Sequence, residues 1–223
     1  MTAYAFQFQG AALSALPSGA LFWPAQDTLV VSDLHFGKSA RLAAVGGAQL
    51  PPYETRATLE RLEADLSTTG ARRVICLGDS FDAPGLDAFL HEDERLWITK
   101  LQAGCSWVWI EGNHDPGPVA LGGEHLAELV LGGLQFRHIA TPQAVGEVSG
   151  HYHPKARLSL RGRSLSRPCF LVDHKRLLMP AYGAYTGGLR SDDPLLCDLM
   201  APDAKAILTG ATPAAIPMPR GAV

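Results

Sequence analysis

Long hydrophobic runs are missing from this chain of 223 residues: proline, glycine or a charge breaks every apolar stretch well short of the 18 residues a membrane span needs. Cysteine is scarce. Cys76, Cys105, Cys169 and Cys197 stand far apart without a C-x-x-C pair, which points away from a disulfide framework or zinc knuckle and toward reduced core thiols. Met1 to Gly10 lacks the basic and apolar regions of a secretory signal, so the cytoplasm is the expected compartment. Neither sign of charge dominates: 19 basic and 22 acidic residues leave a formal net charge of -3, which excludes a generally basic nucleic-acid coat but not a local basic stripe. What is present is 47% hydrophobic and 18% charged content, too apolar for disorder and long enough for one domain spanning 1–223.

Three short apolar runs end abruptly in polar residues. Thr28-Leu-Val-Val31 leads into Ser32-Asp33-Leu34-His35, Val74-Ile-Cys-Leu77 into Gly78-Asp79, and Trp107-Val-Trp-Ile110 into Glu111-Gly112-Asn113-His114. Their length and their β-branched or aromatic content predict buried strands. Tyr53 to Ser67, with Leu59, Leu62 and Leu66 at helical spacing and Gly70 behind, predicts a crossover helix, and Leu86 to Leu101 predicts a second. Alternating strands and helices imply parallel pairing, with ligands bound beyond the carboxyl ends of the strands, where all three polar clusters lie. From Leu134 onward, shorter runs (Leu134 to Ile139, Val145 to Ser149, Ala156 to Leu160, Cys169 to Val172) predict a mostly antiparallel half. Ala204 to Leu208 and Ala214 to Met218 read either as a closing hairpin or as an Ala/Pro-rich tail.

Each polar cluster alone is an ordinary cap or turn. Together, Asp33-x-His35, Gly78-Asp79, Gly112-Asn113-His114-Asp115 and Gly150-His151-Tyr152-His153 bring carboxylates, a carboxamide and imidazoles to one rim, and His138 adds a further imidazole. His91, His125 and His174 are left as surface residues. Histidines and carboxylates forced together would shift one another's pKa values at a cost in stability, which two divalent cations relieve. Oxygen and imidazole donors without thiolate suit Mn, Fe or Zn. A carboxylate can bridge two ions roughly 3.5 to 4 Å apart, and Asp79 is the candidate.

These blocks, with Asp82 four residues after Gly78, resemble the calcineurin-like metallophosphoesterase superfamily in order and separation over about 120 residues. Asp33-Leu-His-Phe-Gly-Lys38, Arg167-Pro-Cys-Phe-Leu171 and Met179-Pro-Ala-Tyr-Gly-Ala-Tyr-Thr-Gly-Gly-Leu189 extend the likeness to the bacterial ligase-associated DNA damage response phosphoesterases. The resemblance implies an α/β (α+β) four-layer sandwich, two mixed β-sheets flanked by helices. It implies two divalent metals, manganese first with Fe, Zn or Co as alternatives: Asp33, His35 and His153 on one, Asn113, His138 and His151 on the other, and Asp79 bridging. It further implies phosphodiesterase or endonuclease activity on nucleic acid in DNA repair, in association with a DNA ligase and a processing exonuclease or helicase. His114 would protonate the leaving oxygen after in-line attack by a hydroxide held between the metals, while Asp82 and Asp115 would orient imidazoles.

Lys155-Ala-Arg157-Leu-Ser-Leu-Arg161-Gly-Arg163-Ser-Leu-Ser-Arg167 has five basic residues and no acid. Lys155, Arg157 and Arg161 share a period of two, so one strand face is cationic: either a solvated edge or a phosphate track that Arg163, Lys38 and Arg41 extend. Ala43 to Ala48, Gly-rich and ending at Pro51-Pro52, reads as an ordinary connection with a lid as the alternative. For Tyr182 and Tyr185 core packing is the first reading and base stacking the second. The motifs specify a reaction centre and not a leaving group, so hydrolysis of a nucleotide or other small phosphoester stays open, as does a non-catalytic scaffold for repair partners.

Overall fold

The computed structural model describes residues 2–44, 46, 51–85, 90–117, 120–160 and 163–220. It opens with a meander that hydrophobic runs alone do not flag: β1 (Tyr4–Phe8), β2 (Ala11–Ala15), β3 (Leu21–Trp23) and β4 (Thr28–Val31) pair antiparallel in succession. Gln9 and Gly10, both at positive φ (49° and 78°), form the two-residue turn that fixes Phe8 opposite Ala11.

Beyond β4 the predicted alternation appears. Helix α1 (Lys38–Ala44) and helix α2 (Glu54–Thr69) precede β5 (Arg73–Leu77), and α3 (Glu92–Gln102) precedes β6 (Ser106–Ile110) and β7 (Glu124–Leu126). β4 to β7 are parallel and complete a seven-stranded sheet in sequence order. Gly70, at φ 65°, closes α2 with its N–H on the Leu66 carbonyl. The second helix begins later than Leu86: His91 caps it, with its N–H donating to the Glu94 carboxylate at 3.1 Å, and Glu92, Asp93 and Glu94 complement the helix N-terminus. Residues 86–89 lie outside the described residues. Ile98 and Leu101 form the buried face of α3, whereas Leu96 is 63% exposed.

The second sheet contains β8 (Leu129–Leu131), β9 (Leu134–Arg137), β10 (Glu147–Ser149), β11 (Lys155–Leu160), β12 (Arg163–Val172), β13 (Arg176–Leu178), β14 (Lys205–Leu208) and β15 (Ala214–Pro217). Its order is β15-β14-β12-β13-β10-β9-β8, with β11 paired to β12. As expected, this half is mostly antiparallel, except that β10 runs parallel to both β9 and β13. β14 and β15 do form the closing hairpin. Helix α4 (Pro194–Leu199) carries a start signal, Asp193 accepting from Leu195 N–H at 3.0 Å with proline next, that the periodicity search passes over in so short an element.

The sheets pack face to face through Val30, Ile75, Leu77 and Ile110 of the first and Phe136, Val148, Phe170 and Leu177 of the second, all at most 1% exposed. Leu59, Leu62 and Ile98 bury α2 and α3 on the first sheet, and Leu196 and Met200 bury α4 on the second. The result is a four-layer sandwich of two mixed sheets between helices. Each such side chain adds roughly 1.5 to 3 kcal/mol over remaining exposed. All four cysteines are free. No helix among the described residues is long and apolar enough to cross a membrane.

Candidate metal centre

Parallel β4, β5 and β6 release their chains at one edge, bringing Asp33-Leu34-His35, Gly78-Asp79 and Gly112-Asn113-His114 side by side. Backbone bonds knit these loops: Asp33 N–H donates to Gly78 at 3.2 Å and His35 N–H to Asp79 at 2.9 Å. From the second sheet, the Gly150 N–H donates to the His138 carbonyl at 3.0 Å, and the His151 N–H to Asp33 Oδ2 at 3.0 Å. The approach needs glycine: a Cβ on Gly112 would lie 2.1 Å from the Asp79 nitrogen, and one on Gly150 would lie 1.8 Å from Ser32 Oγ.

Asp33, His35, Asp79, His151 and His153 all have φ between 46° and 71°, while only three other described non-glycine residues have positive φ. Asp and His tolerate this region better than most residues, yet each costs roughly 1 to 3 kcal/mol and persists only where its surroundings dictate it. Such a concentration makes this rim the candidate functional site.

Two groups of donors result. In the first, ligand atoms of Asp33, His35 and His153 lie within 4.8 Å of one another. His153 Nε2 is 3.0 Å from Asp33 Oδ1, yet it has no aligned hydrogen bond and is buried, as is His35 Nε2. Lone pairs aimed at a shared point rather than at a donor give this pattern. In the second group, Asp79, His138 and His151 also fall within 4.8 Å. Around His138 Nε2 lie Asn113 Oδ1 at 2.9 Å, His151 Nδ1 at 3.2 Å and Asp79 Oδ2 at 3.3 Å. The other nitrogen of that ring, Nδ1, donates to the Leu77 carbonyl at 2.8 Å, which turns Nε2 toward the other donors. These residue types and positions fit divalent metal ions. Asp79 falls in the second group and is not grouped with the first.

Burial raises the Asp33 and Asp79 carboxyls, but the neighbouring imidazoles reverse the effect: Asp33 is held below its usual range and Asp79 is pulled to about 2. Burial lowers His138 in turn, and the Asp79 and Asp33 carboxylates outweigh it, raising this imidazole to about 8. His151 is lowered, by burial first and then by the charge of His138.

Asp82 Oδ1 lies 2.9 Å from His35 Nδ1, without an aligned hydrogen bond between them. Lys38 and Arg41 are redirected by this buried carboxylate. Lys38 Nζ is 3.9 Å from Asp82 Oδ1 and Arg41 Nε bonds to Oδ2, so their charges offset Asp82 rather than standing free for phosphates. Asp115 is also corrected: its carboxylate accepts from the N–H groups of Asp79, Ser80, Phe81 and Gly112 at 2.7 to 3.1 Å, anchoring the Asp79 loop instead of orienting an imidazole. Burial, with the Asp79 charge, raises Asp115 to about 6 against the pull of those bonds. His114 N–H donates to Asp79 Oδ1 at 2.8 Å, its Nδ1 donates to the Asp82 carbonyl at 3.0 Å, and its ring is half-buried at the mouth. Ser32, whose Oγ donates to Asp33 Oδ2 at 2.5 Å, was not predicted; a lone serine after a strand carries no distinctive signal.

Lys155 and Arg157 lie on β11, whose partner β12 continues into the sheet body only from Cys169. Residues 155–160 and 163–168 thus form a two-stranded arm, and 164–168 are exposed throughout. Lys155 and Arg157 share one face of β11 as expected, while Arg167, opposite Ala156, places a further basic residue on the other face. Arg163 begins β12, and Arg161 lies outside the described residues. Residues 45, 47 and 48 of the expected 43–48 connection also lie outside them. His91 and His174 are exposed, and His125 stacks on Trp109, so none joins the site. Tyr182 is fully buried with its hydroxyl on Asp65 at 2.8 Å, whereas Tyr185 is 48% exposed.

Fold and donor set define a class: a two-sheet α+β sandwich whose rim carries paired Asp/His groups able to hold metal ions. No family model and no curated protein matches the chain. Among solved structures, the crystal structure of Pseudomonas putida nuclease MPE is similar to it, with 30% sequence identity, a TM-score of 0.71, and coverage of 96% of this chain and 100% of that one. The chain belongs to the family of that nuclease.

Proposed function

We propose that the protein is a calcineurin-like metallophosphoesterase, a metal-dependent endonuclease that hydrolyses phosphodiester bonds of nucleic acid in DNA repair. The convergence of Asn113, His151 and Asp79 on His138 Nε2, within 3.3 Å, carries this reading. Kinship with a nuclease supports the substrate class. In this reading Asp33, His35 and His153 hold one divalent ion and Asn113, His138 and His151 the other, with Asp79 bridging; manganese is the first choice. Bound there, the ions supply charge neutralisation at phosphorus and an activated nucleophile at neutral pH.

The chain's own groups do the rest. His114, with Nδ1 committed to the Asp82 carbonyl, has Nε2 free to carry the proton delivered to the leaving oxygen. Asp82 holds the His35 ring, and Asp115 holds the loop that carries Asp79. Lys155, Arg157, Arg163 and Arg167 would track the phosphate backbone along the arm, an assignment supported by its exposure and lack of acidic residues. The four free cysteines accord with a reducing, cytoplasmic setting, where a DNA ligase and a processing exonuclease or helicase would be the partners.

Incubating circular single-stranded DNA with wild type and Asp79→Asn in manganese tests the proposal. Linearisation by wild type, lost in the variant, is expected. Cleavage of small monoesters with the DNA circle left intact would move the function to nucleotides, and two bound metals with no turnover would make the protein a scaffold.

A further inference from the structure

The loop between Met179 and Leu189 is pinned at both ends to the chain segments that carry the first donor group. On one side, the Gly183 N–H donates to the Asp33 carbonyl at 3.1 Å, and a Cβ on Gly183 would lie 2.1 Å from the Leu34 oxygen. At the other, a Cβ on Gly188 would lie 2.1 Å from the His153 oxygen, and Leu189 N–H donates to Tyr152 at 3.0 Å. Between the pins sits Tyr185, at φ 57° and 48% exposed, with no hydrogen bond or ring contact among the described residues. A bulky residue in left-handed conformation is an outlier, and packing does not account for this one.

Tyr185 borders a cavity of about 440 Å³, within the size range of small-ligand sites, whose wall also contains Lys155, Arg61, Thr186 and Thr209. Lys155 Nζ donates to the Thr186 carbonyl at 3.0 Å, which leaves two of its three N–H groups available. Arg61 is held by the Tyr182 carbonyl at 2.7 Å. An aromatic face beside ammonium and guanidinium groups matches a nucleotide: a planar base on the ring and a phosphate on the cations.

We propose that Tyr185 and Lys155 form a nucleotide subsite in the cavity beside this loop, in which Tyr185 stacks on an unpaired base of the substrate strand and Lys155 contacts a neighbouring phosphate. The proposal rests on the nuclease reading, but its test is independent of turnover. Fluorescence anisotropy would follow a fluorescein-labelled single-stranded decathymidylate binding to the chelator-treated full chain. Tyr185→Ala weakens binding about tenfold and Tyr185→Phe stays within twofold of wild type, because the ring carries the contact. Lys155→Ala lowers the slope of log affinity against log salt by about 0.7. Binding by Tyr185→Ala equal to wild type, an equal loss in Tyr185→Phe, or no binding by wild type would overturn the subsite. Cleavage of the DNA circle by wild type alongside any of these outcomes would leave the nuclease reading standing, so the two failures are distinguishable.

Discussion

At the scale of single residues, the candidate centre is a set of charges that hold one another in place. His138 is raised to about 8 in the folded chain, above the usual 6.5. Its contribution to stability is therefore full below pH 6.5 and lost as pH rises through about 8. Denaturant unfolding of chelated wild type and His138→Gln should reveal a difference that shrinks by about 2 kcal/mol between pH 6 and pH 9, at 1.36 kcal/mol per pKa unit. A difference constant across that range contradicts the ion pair with Asp79. His114 makes a separate prediction. His114→Ala should lower kcat by roughly 10²- to 10⁴-fold with bound metal unchanged, as measured by steady-state kinetics beside elemental analysis; loss of metal would make it a ligand instead of an acid.

Among elements, the loops after β4, β5 and β6 were legible in sequence because each apolar run stops at its polar cluster, as strands covered on both faces must. Six of the expected donors, Asp33, His35, His153, Asp79, His138 and His151, do fall into two groups that could hold metal ions. Partner choice was not legible: Asp115 turns to backbone N–H groups, and Lys38 and Arg41 to Asp82, because α1 and the Asp79 loop approach in three dimensions, not along the chain. The late start of α3 follows from capping by His91, which no hydrophobic period encodes. Short β13, parallel to β10, hides for the same reason: register with a distant strand leaves no local mark. Two tests belong at this scale. Tyr182→Phe, which removes a hydrogen bond from buried Asp65, should cost about 1 to 3 kcal/mol in unfolding free energy. Arg157→Ala with Arg167→Ala on the arm should lower the salt slope of single-strand binding by about 1.4, that is 0.7 for each phosphate contact removed; an unchanged slope would make the arm a solvated edge.

For the molecule as a whole, four layers serve to hold five left-handed ligand-type residues that would relax if either sheet shifted. The inter-sheet core does this directly beneath the rim, with Leu77 and Ile110 ending the strands that release the Asp79 and Asn113 loops. Metal should then stabilise the entire fold. Manganese at 100-fold above its dissociation constant should add about 2.7 kcal/mol for each occupied site, read as a rise in Tm that a chelator reverses. In the proposed function the two donor groups each hold an ion and act as one diester-cleaving centre. The most direct measurement is elemental analysis of manganese-loaded wild type and His153→Ala, with hydrolysis of bis-p-nitrophenyl phosphate followed on the same samples. Two ions per chain and turnover are expected in wild type, one ion and little turnover in the variant; a single ion in wild type, or full turnover with one, would contradict the two-metal reading.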